Sequence, residues 1–223
     1  MARLPLFPLN TVLAPGAALP LQIHEYRHLQ LIRDVVRSPE GPEFGVVALR
    51  HGRDPDERAR IRTTVTGCSA VLQNVDNIGS GRLHLDVRGK DRFRVDKILD
   101  EPLPYVVAEV TWLSEPDGDA AALPSLARQV RSRLYNYSTM LGQDAPTNFE
   151  PRSRRDVDSA RRLSYGVIDH TVLSLDEKIS LLEAESTEQR LIRARRLLSR
   201  EIDLIRLFHA IPQEIDPSAI NPN

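Results

Sequence analysis

The feature that most restricts the fold of this chain is an uncharged run near its start, residues 4–23, which contains four prolines and one glycine. Because proline fixes φ and supplies no N–H, this run cannot form one long helix. It predicts three short extended pieces, at 4–7, 11–13 and 19–23, joined by stiff turns. An apolar run broken in this way must be buried in a hydrophobic core, and the rest of the chain must form that core.

The composition is that of a soluble globular protein. The chain has 223 residues, a charged fraction of 27% and a net charge of −1, so no strong overall field steers it to nucleic acid or to an acidic membrane. The only cysteine, Cys68, excludes an internal disulfide framework and predicts a buried structural thiol in a reducing compartment. Pro5 and Pro8 break the apolar helical core that a signal peptide needs, so we expect a cytoplasmic protein.

The first half of the chain predicts one helix and several short strands. Tyr26, Leu29, Ile32 and Val36 recur at spacings of three and four, which predicts a helix over 25–36. Apolar or alternating segments predict the strands, which we place at 44–49, 62–74, 83–87, 93–98 and 105–113.

Polar and glycine-rich segments mark the connections between these strands. Residues 50–60 predict an exposed loop and residues 77–81 predict a turn. Gly89, Lys90 and Asp91 predict a second turn, which would join the strands on either side into a hairpin. Several strands at short spacing favour a small barrel or a curled sheet.

The second half of the chain is helical in pattern. Apolar residues at helical spacing follow Pro124, and further helices are predicted over 157–168, from the capping box at 174–177 and from a second box at 186–189. Pro212 ends the last helix. We therefore predict an α+β protein with a β-rich region at 1–115, an α-helical region at 124–212 and a loose tail at 213–223.

The segment from His24 to His28 matches the zinc-binding pattern H-E-x-x-H. On a helix two such histidines can share a zinc ion, with Glu25 as the base. The match falls on the first turn of the predicted helix, and Leu31 and Asp34 occupy the glycine and histidine places of the longer metzincin motif. We therefore predict no metal and no cofactor, and a zinc-dependent hydrolase using His24 and His28 remains a less favoured alternative.

Other catalytic and nucleic-acid signatures are absent from the sequence. Neither a phosphate-binding glycine loop nor a G-x-S-x-G nucleophile elbow is present. The arginine runs at 152–162 and 190–200 are interleaved or flanked by acidic residues without aromatic side chains for base stacking. They predict solvated helix faces with internal ion pairs.

Several motifs, in order, resemble the Lon N-terminal domain family. The opening segment at 4–9, then Pro15-Gly16, the segment at 19–23 and Glu25-Tyr26-Arg27 resemble the start of that domain. The similarity continues through the segments at 44–47, 67–70, 85–89, 92–95, 104–110, 175–178, 181–183 and 188–191. It therefore covers most of residues 3–208.

The resemblance implies a fold and a function. The family's first half is a PUA-like twisted β-barrel, or curled sheet, with one helix, and its second half is an α-helical bundle. The family's function is recognition of unfolded or tagged polypeptides. Because the sequence ends at Asn223, we expect neither ATP hydrolysis nor peptide cleavage, and the chain looks like a stand-alone Lon-domain protein that acts as a substrate-binding or adaptor-like module. We expect a monomer or weak dimer that binds no nucleotide and no membrane.

The resemblance also suggests where a peptide would bind. Exposed apolar residues around the opening segment are candidates, and an arginine would fix a backbone carbonyl or a carboxylate. Two alternatives stay open: the apolar candidates belong to the core and Arg27 pairs only with Glu25, or the chain is an RNA-binding module, since PUA-like barrels elsewhere bind RNA. The candidate peptide-binding residues are Phe7, Leu9, Pro15, Tyr26, Arg27 and Arg92.

Overall fold

The computed structural model describes residues 2–39, 41–49, 66–144, 146, 149 and 157–210. Within these ranges the chain forms the strands β1 (Ala2–Leu9), β2 (Ala18–Ile23), β3 (Glu43–Ala48), β4 (Thr66–Gly79), β5 (Arg82–Leu99) and β6 (Val106–Trp112). It also forms the helices α1 (Tyr26–Arg37), α2 (Leu123–Met140), α3 (Val157–Asp169), α4 (Leu175–Leu182) and α5 (Thr187–Ala210). A mixed sheet with separate helices is the α+β class predicted from the sequence. In the described ranges, no helix is both long and apolar enough to span a bilayer.

The six strands form one sheet in the order β2-β5-β4-β3-β1-β6. The β1–β3 pair is parallel, and the other pairs are antiparallel. The long strand β5 pairs with β2 and β4, and its second half also pairs with β6. The succession of pairings that runs from β5 through β4, β3, β1 and β6 therefore returns to β5.

The uncharged opening segment is explained by strand β1, which is buried on both faces. Leu4 and Leu6 belong to a small apolar cluster made of strand residues and Leu49. Phe7, the next residue along the strand, points to the opposite face and joins a larger cluster. Because successive side chains of a strand alternate between faces, a charge at any of these positions would be buried.

The larger apolar cluster connects the sheet to the helices. Its members include Phe44 and Leu85 from the strands and Leu134, Leu163 and Leu198 from helices α2, α3 and α5. All five of these side chains are buried. One continuous core therefore reaches across the segment that separates the β-rich and helical halves in the sequence.

Several predicted elements are confirmed. Helix α1 begins within one residue of the predicted start, and the boundaries of α3 agree closely with the predicted helix. The capping box that opens α4 is present in both directions. Ser174 Oγ accepts the N–H of Glu177, and a Glu177 carboxylate oxygen accepts the N–H of Ser174. Cys68 is a fully buried free thiol, as predicted, and burial raises its pKa to about 12.

The predicted hairpin around residues 89–91 is wrong. Residues 82–99 form one strand, β5, and the hairpin partner of its first half is β4. The reversal lies at Ser80 and Gly81, which both have positive φ, so the predicted turn at 77–81 is right in place but shorter. Residues 11–13 do not form a strand. The predictions for residues 50–60, for Pro212 and for the tail at 213–223 lie outside the described residues.

The capping box gives a prediction about acid stability. A hydrogen bond from Arg200 lowers the pKa of Glu177 to about 2, against 4.5 for an ordinary glutamate. The folded state therefore favours the charged carboxylate. Its contribution is complete above pH 4.5 and is lost as the pH falls from about 4.5 to about 2.

We expect the Glu177→Gln substitution to flatten the pH dependence of the free energy of unfolding in that window, as measured by urea denaturation. At neutral pH the loss should stay below about 1 kcal/mol, because both side chains of the ion pair are partly exposed to solvent. Glu185→Gln, at an exposed position between α4 and α5, is the matched control. An unchanged slope in Glu177→Gln would contradict the assignment.

Candidate functional site

A surface cleft lies where the ends of β1 and β2 meet the first turn of α1. We call it the N-terminal cleft. It has a volume of about 340 Å³. Strand β1 lies between β3 and β6 in the sheet, and β2 is paired with β5 and is followed closely by α1. The cleft is lined by Phe7, Pro8, Leu9, Asn10, Leu21, Gln22, Ile23, His24, Glu25, Arg27, His28 and Leu49.

Stacked rings form the floor of the N-terminal cleft. The Phe7 and His28 rings lie with their centroids 4.2 Å apart and an interplanar angle of 18°. Phe7 is only 3% exposed, so it supports the cleft from below, and Leu9 is half-buried at its side. Burial lowers the pKa of His28, which keeps the imidazole neutral at pH 7, and its Nε2 atom is buried without a hydrogen bond to the described residues. The floor is therefore aromatic and uncharged, and it contains one polar atom, His28 Nε2, without a partner among the described residues.

An ion pair forms one rim of the cleft. Arg27 Nε donates to Glu25 Oε2 at 2.8 Å, and this hydrogen bond lowers the pKa of the Glu25 carboxyl. Both side chains are partly exposed. Glu25 occupies the N-cap position of α1, although its side chain accepts no capping hydrogen bond. The rim therefore presents both charges to a ligand entering the cleft.

The arrangement of His24 and His28 differs from that of a helical zinc motif. Helix α1 begins at Tyr26, so His24 precedes the helix and the two rings do not occupy successive turns of one helical face. The His28 ring is stacked on Phe7. Within the described part of the chain, no group of three or more His, Cys, Asp or Glu side chains is placed to hold a metal ion.

Pro15 lies away from the N-terminal cleft, in a second depression between the β1–β2 connection and helix α3. We call this the loop cleft. It has a volume of about 230 Å³. Its lining combines the segment 14–17 with side chains from β5, helix α3 and the segment preceding α3: Arg88, Phe149, Arg162, Tyr165, Asp169 and His170. Four of the six predicted residues are therefore divided between two clefts.

Tyr26 and Arg92 line neither cleft. Tyr26 is 70% exposed at the first position of α1. Arg92 is 2% exposed and crosses from β5 to the helical half. Its Nη1 donates to the carbonyl oxygens of Leu182 at 2.7 Å and Ala184 at 2.8 Å, while Nη2 donates to the carbonyl of Ser114 at 3.1 Å. Its Nε pairs with a carboxylate, that of Glu115.

A second buried arginine, Arg190, shares this carboxylate. Its guanidinium lies 3.8 Å above the centre of the Tyr165 ring and 3.6 Å from Glu115 Oε2. Its Nε donates to the carbonyl of Leu181 at 3.0 Å, and Nη1 donates to Ser164 Oγ at 3.2 Å. Burial lowers the pKa of Arg190 and raises that of Tyr165. Two guanidinium groups therefore converge on one carboxylate between the sheet and the helices.

Sequence reasoning missed several of these roles. The arginine run that begins at Arg190 was predicted to be a solvated face, yet Arg190 is fully buried. The available signal was its spacing, since Arg190 stands four and eight residues before the buried Ala194 and Leu198 and so shares their face of α5. Arg88 and Arg162, from distant parts of the sequence, gave no signal that they line one cleft.

The mixed sheet, whose pairings return to β5, and the helices that share its core define an α+β domain with surface clefts. The family model of the ATP-dependent protease La (LON) substrate-binding domain matches residues 3–200, and the chain belongs to this family. This confirms the family resemblance seen in the sequence motifs.

Curated relatives are Lon proteases of bacteria. The chain is 24% identical over 218 residues to Lon protease of Flavobacterium johnsoniae and 26% identical over 223 residues to Lon protease of Anaeromyxobacter dehalogenans. These matches cover 95% and 96% of the chain but only 26% and 25% of the relatives' length. The chain therefore spans about a quarter of the length of these relatives.

Two solved structures have the same fold. The Lon N-terminal domain protein from Xanthomonas campestris is 27% identical, with a TM-score of 0.59 over 89% of this chain and 98% of that one. The N-terminal domain of Lon protease from the Mycobacterium avium complex is 18% identical, with a TM-score of 0.61 over 91% and 98% of the two chains. The second similarity is one of fold alone.

Proposed function

We propose that this chain is a non-enzymatic polypeptide-recognition module that binds unfolded or tagged segments in the N-terminal cleft. The observation that carries the proposal is the floor of that cleft, where the neutral His28 ring stacks on Phe7 beneath a rim that holds one cation and one anion. An apolar side chain fits the floor, and the peptide backbone, which both donates and accepts hydrogen bonds, fits the rim.

The volume of the cleft supports a polypeptide segment as the ligand. A volume of about 340 Å³ lies at the lower end of the range for ligand pockets, which suits one or two side chains of an extended segment. Membership of a substrate-binding domain family is the second support. Of the predicted residues, the proposal keeps Phe7, Leu9 and Arg27, which line this cleft, and leaves out Pro15, Tyr26 and Arg92.

The fold supports a finer description of the chain. We infer that the closed succession of pairings β5-β4-β3-β1-β6 is a PUA-like barrel and that helices α2 to α5 form a bundle beside it. In this description residues 1–115 and 124–212 are two subdomains that share one core. We also propose that the chain is a monomer or weak dimer and is located in the cytoplasm. A stable hexamer in light scattering would contradict the predicted assembly.

The direct test is fluorescence anisotropy with three labelled probes: an unstructured apolar peptide, a charged control peptide and a short single-stranded RNA. Saturable binding of the apolar peptide that persists in high salt is the expected result. Salt-sensitive binding of the RNA alone would overturn the proposal in favour of an RNA-binding module, because phosphate contacts release counterions.

Leu9→Asp is expected to weaken binding of the apolar peptide by about tenfold or more, because it places a charge beside the apolar floor. Gln22→Asp introduces the same charge at an exposed position of the same cleft, so its effect does not depend on the stability of the core. Val172→Asp is the matched control, since Val172 is 76% exposed and lies outside the lining of both clefts. Equal affinities in all three variants would remove the N-terminal cleft from consideration.

A further inference from the structure

The loop cleft carries features that the N-terminal cleft does not have. Two arginines, Arg88 from β5 and Arg162 from α3, line it together with one acidic side chain, Asp169. Arg162 is exposed and has no hydrogen bond or ion pair with the described residues, so its charge is available to a ligand. Within the described lining, the two cations outnumber the single carboxylate.

One wall of the loop cleft, the segment 14–17, is held in place by hydrogen bonds within the protein. The segment 14–17 is fastened to β5 at two backbone positions: Gly16 N–H donates to Gly89 O at 2.8 Å, and Gly89 N–H donates to Ala17 O at 2.9 Å. Arg88 Nη1 donates to Gly16 O at 2.9 Å. Because a guanidinium has five N–H donors, most of those of Arg88 remain for a ligand. A fixed wall lowers the entropy lost on binding.

Aromatic rings pack closely on the α3 side of the cleft. The Phe149 ring lies directly on the backbone of Gly166, where an added Cβ would come within 2.1 Å of the ring. The His170 ring meets the same phenylalanine edge-on, with centroids 5.6 Å apart. Pro15 lines the same cleft. Phe149 is only 6% exposed, so an apolar side chain would pack against Pro15, the His170 ring and the accessible edge of Phe149.

The cation of Arg162 and the anion of Asp169 lie one after the other along helix α3. Arg162 and Asp169 are seven residues apart, which corresponds to about 10 Å of helix rise. Three residues of extended peptide span about the same distance. A ligand with a carboxylate at one end and backbone N–H groups behind it matches this order, since the carboxylate meets the arginines and an N–H meets Asp169. The carboxylate of Asp169 also disfavours a doubly charged phosphate.

We propose that the loop cleft binds the C-terminus of a polypeptide whose last residue is apolar. The terminal carboxylate lies between Arg88 and Arg162, and the last side chain packs against Phe149 and Pro15. The polypeptide nature of the ligand rests on the proposed function, but the site is separate from the N-terminal cleft.

The test uses three fluorescein-labelled peptides and the intact chain. The first is Gly-Ser-Gly-Ser-Ala-Leu with a free C-terminal carboxylate, the second is the same peptide as its C-terminal amide, and the third is the amide of Gly-Ser-Asp-Leu-Ser-Gly. We expect the first to bind at least about tenfold more tightly than the other two, because a charge-assisted hydrogen bond to arginine is lost in the amide. Amide resonances of Gly16 and Gly166 should shift on titration.

Arg162→Gln should weaken binding of the free-carboxylate peptide by about tenfold, while Arg128→Gln, a matched change at an exposed position of α2, should leave it unchanged. Equal binding of the acid and the amide, or an unaffected Arg162→Gln variant, would overturn the proposal. Preference for the internal aspartate peptide would overturn the C-terminal assignment. Leu9→Asp separates the two sites: it should impair the apolar peptide and spare the C-terminal one.

Discussion

Replacement of Arg92 by alanine is expected to lower the free energy of unfolding by about 3–5 kcal/mol. Arg92 is 2% exposed and donates to three backbone carbonyls as well as to Glu115. Its removal takes this donor from the carbonyl oxygen of Leu182 at the boundary between sheet and helices, while the carbonyl of Ala184 keeps a hydrogen bond from Arg190 Nη2. Unsatisfied buried acceptors lose their hydration without compensation.

Two variants sharpen the test of Arg92. Arg92→Lys keeps the charge but lacks the planar fork that reaches four acceptors, so its loss should fall between zero and that of alanine. Arg94→Ala is the matched control two residues along the same strand. Arg94 is exposed and pairs with Asp96, and its removal should cost less than about 1 kcal/mol. Chemical denaturation measures all three, and similar losses at Arg92 and Arg94 would show that the buried network contributes little.

The Gly89→Ala substitution is expected to cost about 3 kcal/mol or more, because backbone atoms occupy the place of the new methyl group. A Cβ at residue 89 would lie 2.1 Å from the carbonyl oxygen of Ala14. The strand cannot move away without stretching the hydrogen bonds that join Gly89 to Gly16 and Ala17. Thermal and urea denaturation should both report the loss.

The same substitution has a second readout in the loop cleft. Displacement of the segment 14–17 moves Pro15 and the carbonyl that accepts from Arg88, so the free-carboxylate peptide should also bind more weakly. Lys97→Ala, at an exposed position of β5, should change stability by no more than about 0.5 kcal/mol and leave binding unchanged. Wild-type stability in Gly89→Ala would show that the connection relaxes without cost.

Gly89 also shows where local interpretation of the sequence fails. Gly89-Lys90-Asp91 is typical of a turn, but in the structure the glycine lets another part of the backbone approach an uninterrupted strand. A close approach and a turn both require the absence of a side chain. Only the position of Ala14, which is remote in sequence, distinguishes the two.

The residues of the candidate site could be predicted only in part, because exposure of a side chain depends on distant segments of the chain. Phe7, Leu9 and Arg27 share the N-terminal cleft because β1, β2 and α1 follow one another closely in the chain. Arg92 carries the same charge as Arg27, yet it is buried by helices more than eighty residues away. Whether an arginine is exposed depends on what packs over it, and the local sequence does not contain that information.

The sequence by itself determined the elements whose causes are local. Prolines excluded a helix from residues 4–23, the apolar spacing from Tyr26 specified α1, and Ser174 with Glu177 specified the start of α4. The order of its motifs also determined the family. In each case the interacting groups lie within a few residues of one another.

The tertiary structure alone decided which distant residues meet. It made residues 82–99 one strand by pairing them with β2, β4 and β6, and it placed Arg92 and Arg190 on the same carboxylate. It also brought Arg88 and Arg162 to one cleft. The physical reason is that burial and pairing are collective, since the free energy of each buried charge depends on partners that only the completed core brings within hydrogen-bonding distance.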